Sequence, residues 1–251
     1  MSSTVLAPGT PIWIDLGSKD VEASKAFYGT LFGWEAQTVP EPEAGGYVMF
    51  RLNGKMVAGA APLQNPDQPP AWTTYVHTKD AAATAQKVRE AGVTVLFEPM
   101  QVMDSGTMAI FADPTGAVVG AWQPDQHTGA EVFNEPGSLT WNELATRDVE
   151  AAKAFYTRVF DWGVHAHEGY TEWQVDGRSV GGMMPMADSY PPQVPAHWLV
   201  YFDVADCAAT LEKAKAAGAR VMVPTTEIPQ GTIAVVADPQ GATFAFIQAK
   251  R

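Results

Sequence analysis

The sequence predicts an α+β fold of two tandem domains, each a pair of β-α-β-β-β modules, four modules in all. Three observations predict it. The chain contains itself twice, each half alternates short strand-patterned runs with two helix-patterned runs, and 251 residues leave room for two cores. Residues 8–34 read PGTPIWIDLGSKDVEASKAFYGTLFGW and residues 136–162 read PGSLTWNELATRDVEAAKAFYTRVFDW, identical at 14 of 27 positions without a gap. The match continues with small shifts. Gly54-Lys55-Met56-Val57-Ala58-Gly59 answers Gly177-Arg178-Ser179-Val180-Gly181-Gly182, and Asp113-Pro114-Thr115-Gly116 answers Asp238-Pro239-Gln240-Gly241. Repeats of this length are too long for solenoid units and mark a duplicated domain. The expected boundaries are 8–123 and 136–249, joined by a polar, turn-rich linker at 124–135.

Within the first repeat the elements follow from local pattern. Ile12 to Leu16 alternates as a strand does. Asp20 is placed to cap a helix over Val21 to Phe32, whose Ala23, Ala26, Phe27 and Leu31 recur at helical spacing, and Gly33 stops it. Strand-like runs follow at Trp34 to Val39, Tyr47 to Leu52 and Lys55 to Ala61, the last two joined by the turn signal Asn53-Gly54. After the break at Gln64 to Pro70 the order restarts. Trp72 to Thr78 reads as a strand, Asp80 to Ala91 as an Ala-rich helix ended by Gly92, and Val93 to Phe97, Thr107 to Ala112 and Val118 to Trp122 as three more strands. The second repeat copies this order.

Bulk properties exclude several functions. A net charge of −12 repels phosphate backbones and anionic membrane surfaces, so no nucleic-acid or membrane partner is expected. No apolar run approaches the length of a spanning helix, and the N-terminus lacks the basic and apolar regions of a signal peptide, so a cytoplasmic location is expected. Cys207 is the only cysteine, which rules out an intrachain disulfide or thiolate zinc cluster and suits a small buried filler. There is no Gly-rich phosphate loop and no recognisable Ser-His-Asp or Cys-His signature.

The segment Asp20-Val21-Glu22-Ala23-Ser24-Lys25-Ala26-Phe27-Tyr28 with Leu31-Phe32-Gly33-Trp34, its echo at Asp148 to Trp162, and the D-P-x-G turn before each repeat's last strand resemble the vicinal oxygen chelate superfamily of glyoxalases, bleomycin-resistance proteins and extradiol dioxygenases. The resemblance covers nearly the whole chain. It implies open, curved sheets whose concave faces form ligand clefts, usually floored by a divalent metal. It also implies where the metal ligands would stand: seven residues before the helix-opening Asp (Trp13 and Trp141), seven before the second such Asp (Thr73 and Leu199), and seven after the D-P-x-G Asp (Gly120 and Ala245). These are not the imidazole or carboxylate groups that divalent ions take, and Met56 to Ala60 and Ser179 to Met183 supply none of the usual kind either. The resemblance is therefore to the metal-free, bleomycin-resistance branch, and no metal or other cofactor is expected.

The same positions become candidates for ligand contact: Trp13, Thr73, Gly120, Trp141, Leu199 and Ala245. Period-two alternation adds Tyr75 and His77 to the face of Thr73, Trp122 to that of Gly120, and Tyr201 and Asp203 to that of Leu199. The other strand tryptophans, Trp72, Trp162, Trp173 and Trp198, divide between packing and the clefts. Asp15 and Glu143 lie two residues past Trp13 and Trp141, and a carboxylate on that face is either hydrated at a cleft mouth or used as a ligand contact or general base. The run His165-Ala166-His167-Glu168 superficially resembles metal ligands but reads as a solvent-facing strand end, since the first repeat has nothing similar.

The expected function is metal-independent binding of a small, largely apolar or aromatic molecule by a monomer or homodimer, as in drug or metabolite sequestration and antibiotic resistance. The alternatives are a glyoxalase-like lyase or isomerase, or another metal-free enzyme, with Asp15 and Glu143 as acid-base residues; a metal enzyme with relocated ligands such as His77 with Asp15; and a regulatory or interaction protein with vestigial clefts.

Overall fold

A computed structural model describes residues 6–187 and 190–250, so most of the N-terminal stretch read against a leader peptide lies outside the described residues. The first repeat runs β1 (Pro11–Ser18), α1 (Val21–Phe32), β2 (Glu35–Thr38), a short 3-10 turn (Pro42–Ala44), β3 (Val48–Leu52), β4 (Lys55–Pro62), β5 (Ala71–His77), α2 (Ala81–Glu90), β6 (Val95–Val102), β7 (Gly106–Ala112) and β8 (Val118–Pro124). The second runs β9 (Leu139–Thr146), α3 (Val149–Phe160), β10 (Gly163–His167), β11 (Tyr170–Val175), β12 (Arg178–Pro185), β13 (His197–Asp203), α4 (Cys207–Ala216), β14 (Arg220–Ile228), β15 (Gly231–Ala237) and β16 (Thr243–Ala249). Each repeat forms one open, curved eight-stranded sheet, ordered β2-β3-β4-β1-β5-β8-β7-β6 and β10-β11-β12-β9-β13-β16-β15-β14. The expected four modules are all present.

The helix starts follow from the sequence. Asp20, Asp80, Asp148 and Asp206 each accept the backbone N–H three residues on, satisfying a donor that the helix leaves unpaired. Gly33 closes α1 at φ 75°, a left-handed conformation that costs glycine little. One strand departs from expectation: β6 runs on to Val102 because its hairpin with β7 continues through Met100↔Met108 to Val102↔Gly106. Pro99 sits at the register shift between Phe97 and Met100 on this edge strand, where a missing N–H is tolerated.

The sheets follow the repeats, but the cores do not. Packing divides the chain into two compact units, and β1, β5, β9 and β13 each pass from one to the other. The first unit comprises Met1–Trp13, Thr73–Gly129 and Trp141–Trp198, thus the second module of one repeat with the first module of the other. Its core joins Val76, Val88, Phe111 and Val119 to Leu144, Phe155, Tyr156, Trp162, Trp173 and Trp198. The second unit comprises Ile14–Trp72, Ala130–Thr140 and Leu199–Arg251, with a core of Ile14, Leu16, Phe27, Tyr28, Trp34, Phe50 and Trp72 against Phe202, Val236, Phe244 and Phe246.

The motif residues that marked the repeat hold each unit together. In the first, Trp198 Nε1 donates to Tyr156 Oη (2.8 Å), whose hydroxyl donates to Asp113 Oδ2 (3.0 Å). In the second, Trp72 Nε1 donates to Tyr28 Oη (3.1 Å), and Tyr28 to Asp238 Oδ2 (3.0 Å). Asp113 and Asp238 are buried, and the other oxygen of each accepts backbone N–H groups of its own D-P-x-G turn, so each carboxylate is satisfied where it would otherwise be costly. The D-P-x-G aspartate of one repeat therefore anchors the tyrosine of the other. Burial, reinforced by the adjacent carboxylate, pushes both phenols well above the ordinary tyrosine range.

The linker is structured in both units. In the second, Glu131 exchanges bonds with Met56, its N–H donating to the Met56 carbonyl (2.8 Å) and its carboxylate accepting from the Met56 N–H (2.7 Å). Cys207 is buried there, as expected for a filler, and its thiol is pushed up to about 11 by burial first and then by Asp206 and Glu227.

Candidate functional site

On β9, Asn142 and Leu144 turn toward the core of the first unit, and Trp141 and Glu143 take the opposite face. Both are half-buried. Glu143 pairs in register with Gly182 on β12. A Cβ on Gly182 would lie 1.8 Å from Tyr170 Oη and 2.9 Å from Trp141 Nε1. Only glycine lets the Tyr170 phenol lie over the strand beside the carboxylate. Trp141 Nε1 donates to Tyr170 Oη (2.9 Å), and Tyr170 donates in turn to Glu143. Burial, then the negative charge of Glu143, raises the Tyr170 pKa far above the usual range. Tyr190, in the segment after β12, is raised by the same two causes in the same order. Arg147 holds that segment by donating to the carbonyls of Pro191 (3.0 Å) and Val194 (3.4 Å). Glu143 thus accepts from one phenol and lies within electrostatic range of a second, and both stay protonated across the physiological range.

The second unit repeats part of this. Asp15 pairs in register with Gly59, and a Cβ on Gly59 would lie 1.8 Å from Tyr47 Oη. Tyr47, Tyr170 and Tyr190 are site residues that the sequence reading passed over. For the first two a signal was available: each precedes by 12 residues a glycine, Gly59 or Gly182, that the repeat alignment had already matched.

The remaining candidates fall into two groups. In the first unit Trp13 is only 3% exposed, and His127 of the linker meets it edge-on at 4.3 Å between ring centroids. His127 also packs on Trp122 (5.6 Å), whose Nε1 donates to the His127 carbonyl (2.8 Å). Tyr75 joins Trp122 at 6.5 Å. His77 is buried, with Nδ1 2.6 Å from the Leu6 carbonyl. Thr73 is half-buried on the same strand. In the second unit Leu199, Tyr201, Asp203 and Ala245 are all buried, with Tyr201 in register with Ala245. Trp72, Trp162, Trp173 and Trp198 all belong to the cores.

A divalent metal does not fit the positions that the resemblance marks for it. A Cβ on Gly120 would lie 2.3 Å from the Tyr75 ring, so an aromatic side chain fills the space a ligand would need. Ala245, Leu199, Trp13 and Trp141 offer no oxygen or imidazole donor, and Thr73 supplies a single hydroxyl.

The family model for the Glyoxalase/Bleomycin resistance protein/Dioxygenase superfamily matches residues 11–120 and 138–246. The chain is 42% identical, over 96% of its length and 95% of the relative's, to the protein named "Putative glyoxylase CFP32" of Mycobacterium tuberculosis. It is 40% identical, over 98% of its length and 95% of the relative's, to the anthracycline biosynthesis protein DauV of Streptomyces sp. (strain C5). Its fold matches the Mn(II)-bound glyoxalase from Novosphingobium aromaticivorans at a TM-score of 0.66 and 17% identity, covering 97% of this chain and 83% of that one. The duplicated module pairs, the two eight-stranded sheets and these matches agree, and the chain belongs to the glyoxalase/bleomycin resistance protein/dioxygenase superfamily.

Proposed function

We propose that the chain binds a planar, largely apolar aromatic molecule bearing a hydroxyl or amine donor, on the face of β9, β11 and β12 that carries Trp141, Glu143 and Tyr170, and without a metal at the superfamily's usual positions. The observation that carries this reading is the Glu143 carboxylate, which accepts from the protonated Tyr170 phenol that the half-buried Trp141 indole also bonds, within electrostatic range of Tyr190. An indole offers a flat apolar contact worth about 0.5–1.5 kcal/mol beyond its area burial, and a carboxylate makes strong, charge-assisted bonds to donors. The likeness to a protein of anthracycline biosynthesis supports a fused-ring, phenolic ligand. Asp15 with Tyr47 over Gly59 is a second, related set. Sequestration of such a molecule, as in resistance proteins of this superfamily, is the simplest function of a site that binds and releases.

A second reading is favoured by the same dyad and by the likeness to a protein named as a glyoxylase. Here Glu143 is a general base on a phenol- or carbonyl-bearing substrate, and the neutral phenols donate to the oxyanion that forms. One experiment separates the two. Quenching of tryptophan fluorescence by a hydroxyanthraquinone probe, compared with its donor-free parent, gives affinities for the native chain, Trp141→Ala and Glu143→Gln. Trp141→Ala is expected to weaken binding by about 1–3 kcal/mol, as for an anchoring aromatic. Glu143→Gln is expected to weaken the hydroxylated probe more than its parent, and EDTA to change neither. Affinities indifferent to both substitutions refute the reading. Intact binding with loss of a measurable turnover in Glu143→Gln establishes the second.

A further inference from the structure

The outer strands of the second sheet hold a group of residues that the aromatic site does not use. His165 and His167 stand two apart on the edge strand β10, so they share a face. The turn Glu168-Gly169 reverses the chain and brings Glu172 of β11 into register with His165. Residues directly opposite on paired strands point to the same side. The three side chains meet there: the histidine rings lie 4.4 Å apart between centroids, His167 Nε2 is 3.1 Å from Glu172 Oε1, and one ligand atom from each residue falls within 4.8 Å of the others. The second carboxylate oxygen, Oε2, accepts from Ser179 Oγ on β12, which fixes the carboxylate and leaves Oε1 turned to the imidazoles.

We propose that His165, His167 and Glu172 bind a borderline divalent transition ion of the Zn²⁺ class. Two imidazoles and one carboxylate are the donors such ions take, and three protein ligands leave a coordination position open to water or to an oxygen of a small molecule. At ordinary Zn–N and Zn–O lengths of about 2.0–2.2 Å, tetrahedral ligand atoms stand roughly 3.3 Å apart. His167 Nε2 and Glu172 Oε1 already stand at about that spacing, and the remaining ligand atoms, within 4.8 Å, must close by up to about 1.5 Å. A simple imidazolium–carboxylate pair would account for His167 and Glu172. The structure sets a second imidazole, His165, against the first and within reach of the same carboxylate, which completes a three-donor set. Ser179 is the outer-shell partner that a ligating carboxylate needs. The proposal does not rest on the aromatic binding face, although Glu172 and Tyr170 share one side of β11.

The test is isothermal titration of ZnCl₂ into the full, EDTA-treated and desalted chain in a non-coordinating buffer. One equivalent is expected to bind. The isotherm is expected to vanish in His165→Ala/His167→Ala, whose thermal melting should match the parent because both rings are exposed on an edge strand. Ser179→Ala, which keeps all three ligands, is expected to weaken binding about 10-fold to 100-fold. Absence of saturable binding to the full chain overturns the proposal. So does a one-equivalent isotherm that survives unchanged in the double variant.

Discussion

Replacing Gly182 by alanine probes the dyad through its support. The added methyl would stand 1.8 Å from Tyr170 Oη and 2.5 Å from Tyr170 Cζ, against an ordinary contact of about 3.5 Å. The phenol must retreat by roughly 1.5 Å, and hydrogen bonds that start near 2.9 Å do not survive that. The loss is one neutral bond, Trp141 to Tyr170, of about 1 kcal/mol, and one bond to a charged group, Tyr170 to Glu143, of about 1.5–3 kcal/mol. Gly182→Ala is therefore expected to destabilise the fold by about 2–4 kcal/mol. The backbone at Gly182 is not left-handed, so alanine brings no conformational penalty of its own. In a Tyr170→Ala background the nearest remaining atom is Trp141 Nε1 at 2.9 Å, which must give by about 0.6 Å, far less than the phenol would have to. The two hydrogen bonds are already gone in that background, so the same substitution should then cost clearly less. Urea denaturation of the four proteins, followed by circular dichroism, measures the coupling. Additivity of the two substitutions to within about 0.3–0.5 kcal/mol would refute the claim that Gly182 exists to seat Tyr170.

Three further outcomes are expected. Tyr156→Phe removes the hydroxyl that joins Trp198 to the buried Asp113 and should cost about 1–3 kcal/mol in the same denaturation assay, as should Tyr28→Phe at Asp238. Because burial raises the pKa of Tyr28 and Tyr156 in the fold, their contribution is fully present below the unfolded value of about 10 and is lost as pH rises above it. Stability measured from pH 9 upward should fall by up to about 1.4 kcal/mol per pH unit for each of the two, and Tyr156→Phe should remove one share of that slope. Cys207, buried and pushed up to about 11, should react with Ellman's reagent at pH 8 only as fast as the second unit opens, so urea should accelerate labelling in step with unfolding.

The sequence by itself determined the modules. A repeat identical at 14 of 27 positions, four capping aspartates and alternating apolar strands leave little freedom in what each module becomes, because caps and strand faces are set by residues within a few positions of one another. The same local logic put Trp141 with Glu143 and Trp13 with Asp15 on common faces, whereas the expected places of metal ligands came from the resemblance to the superfamily. Which module packs on which was decided only in three dimensions. The apolar faces of α1 and α3 are near copies, so periodicity cannot say that Tyr28 of one repeat meets Asp238 of the other. The Tyr170–Glu143 contact depends on strand register and on the missing side chain of Gly182, and His127 reaches Trp13 only because the linker folds back. The histidine pair makes the same point. Glu168, its sequence neighbour, is spent in the turn, and Glu172 arrives from across the hairpin because strand pairing, rather than chain proximity, brings donor atoms together.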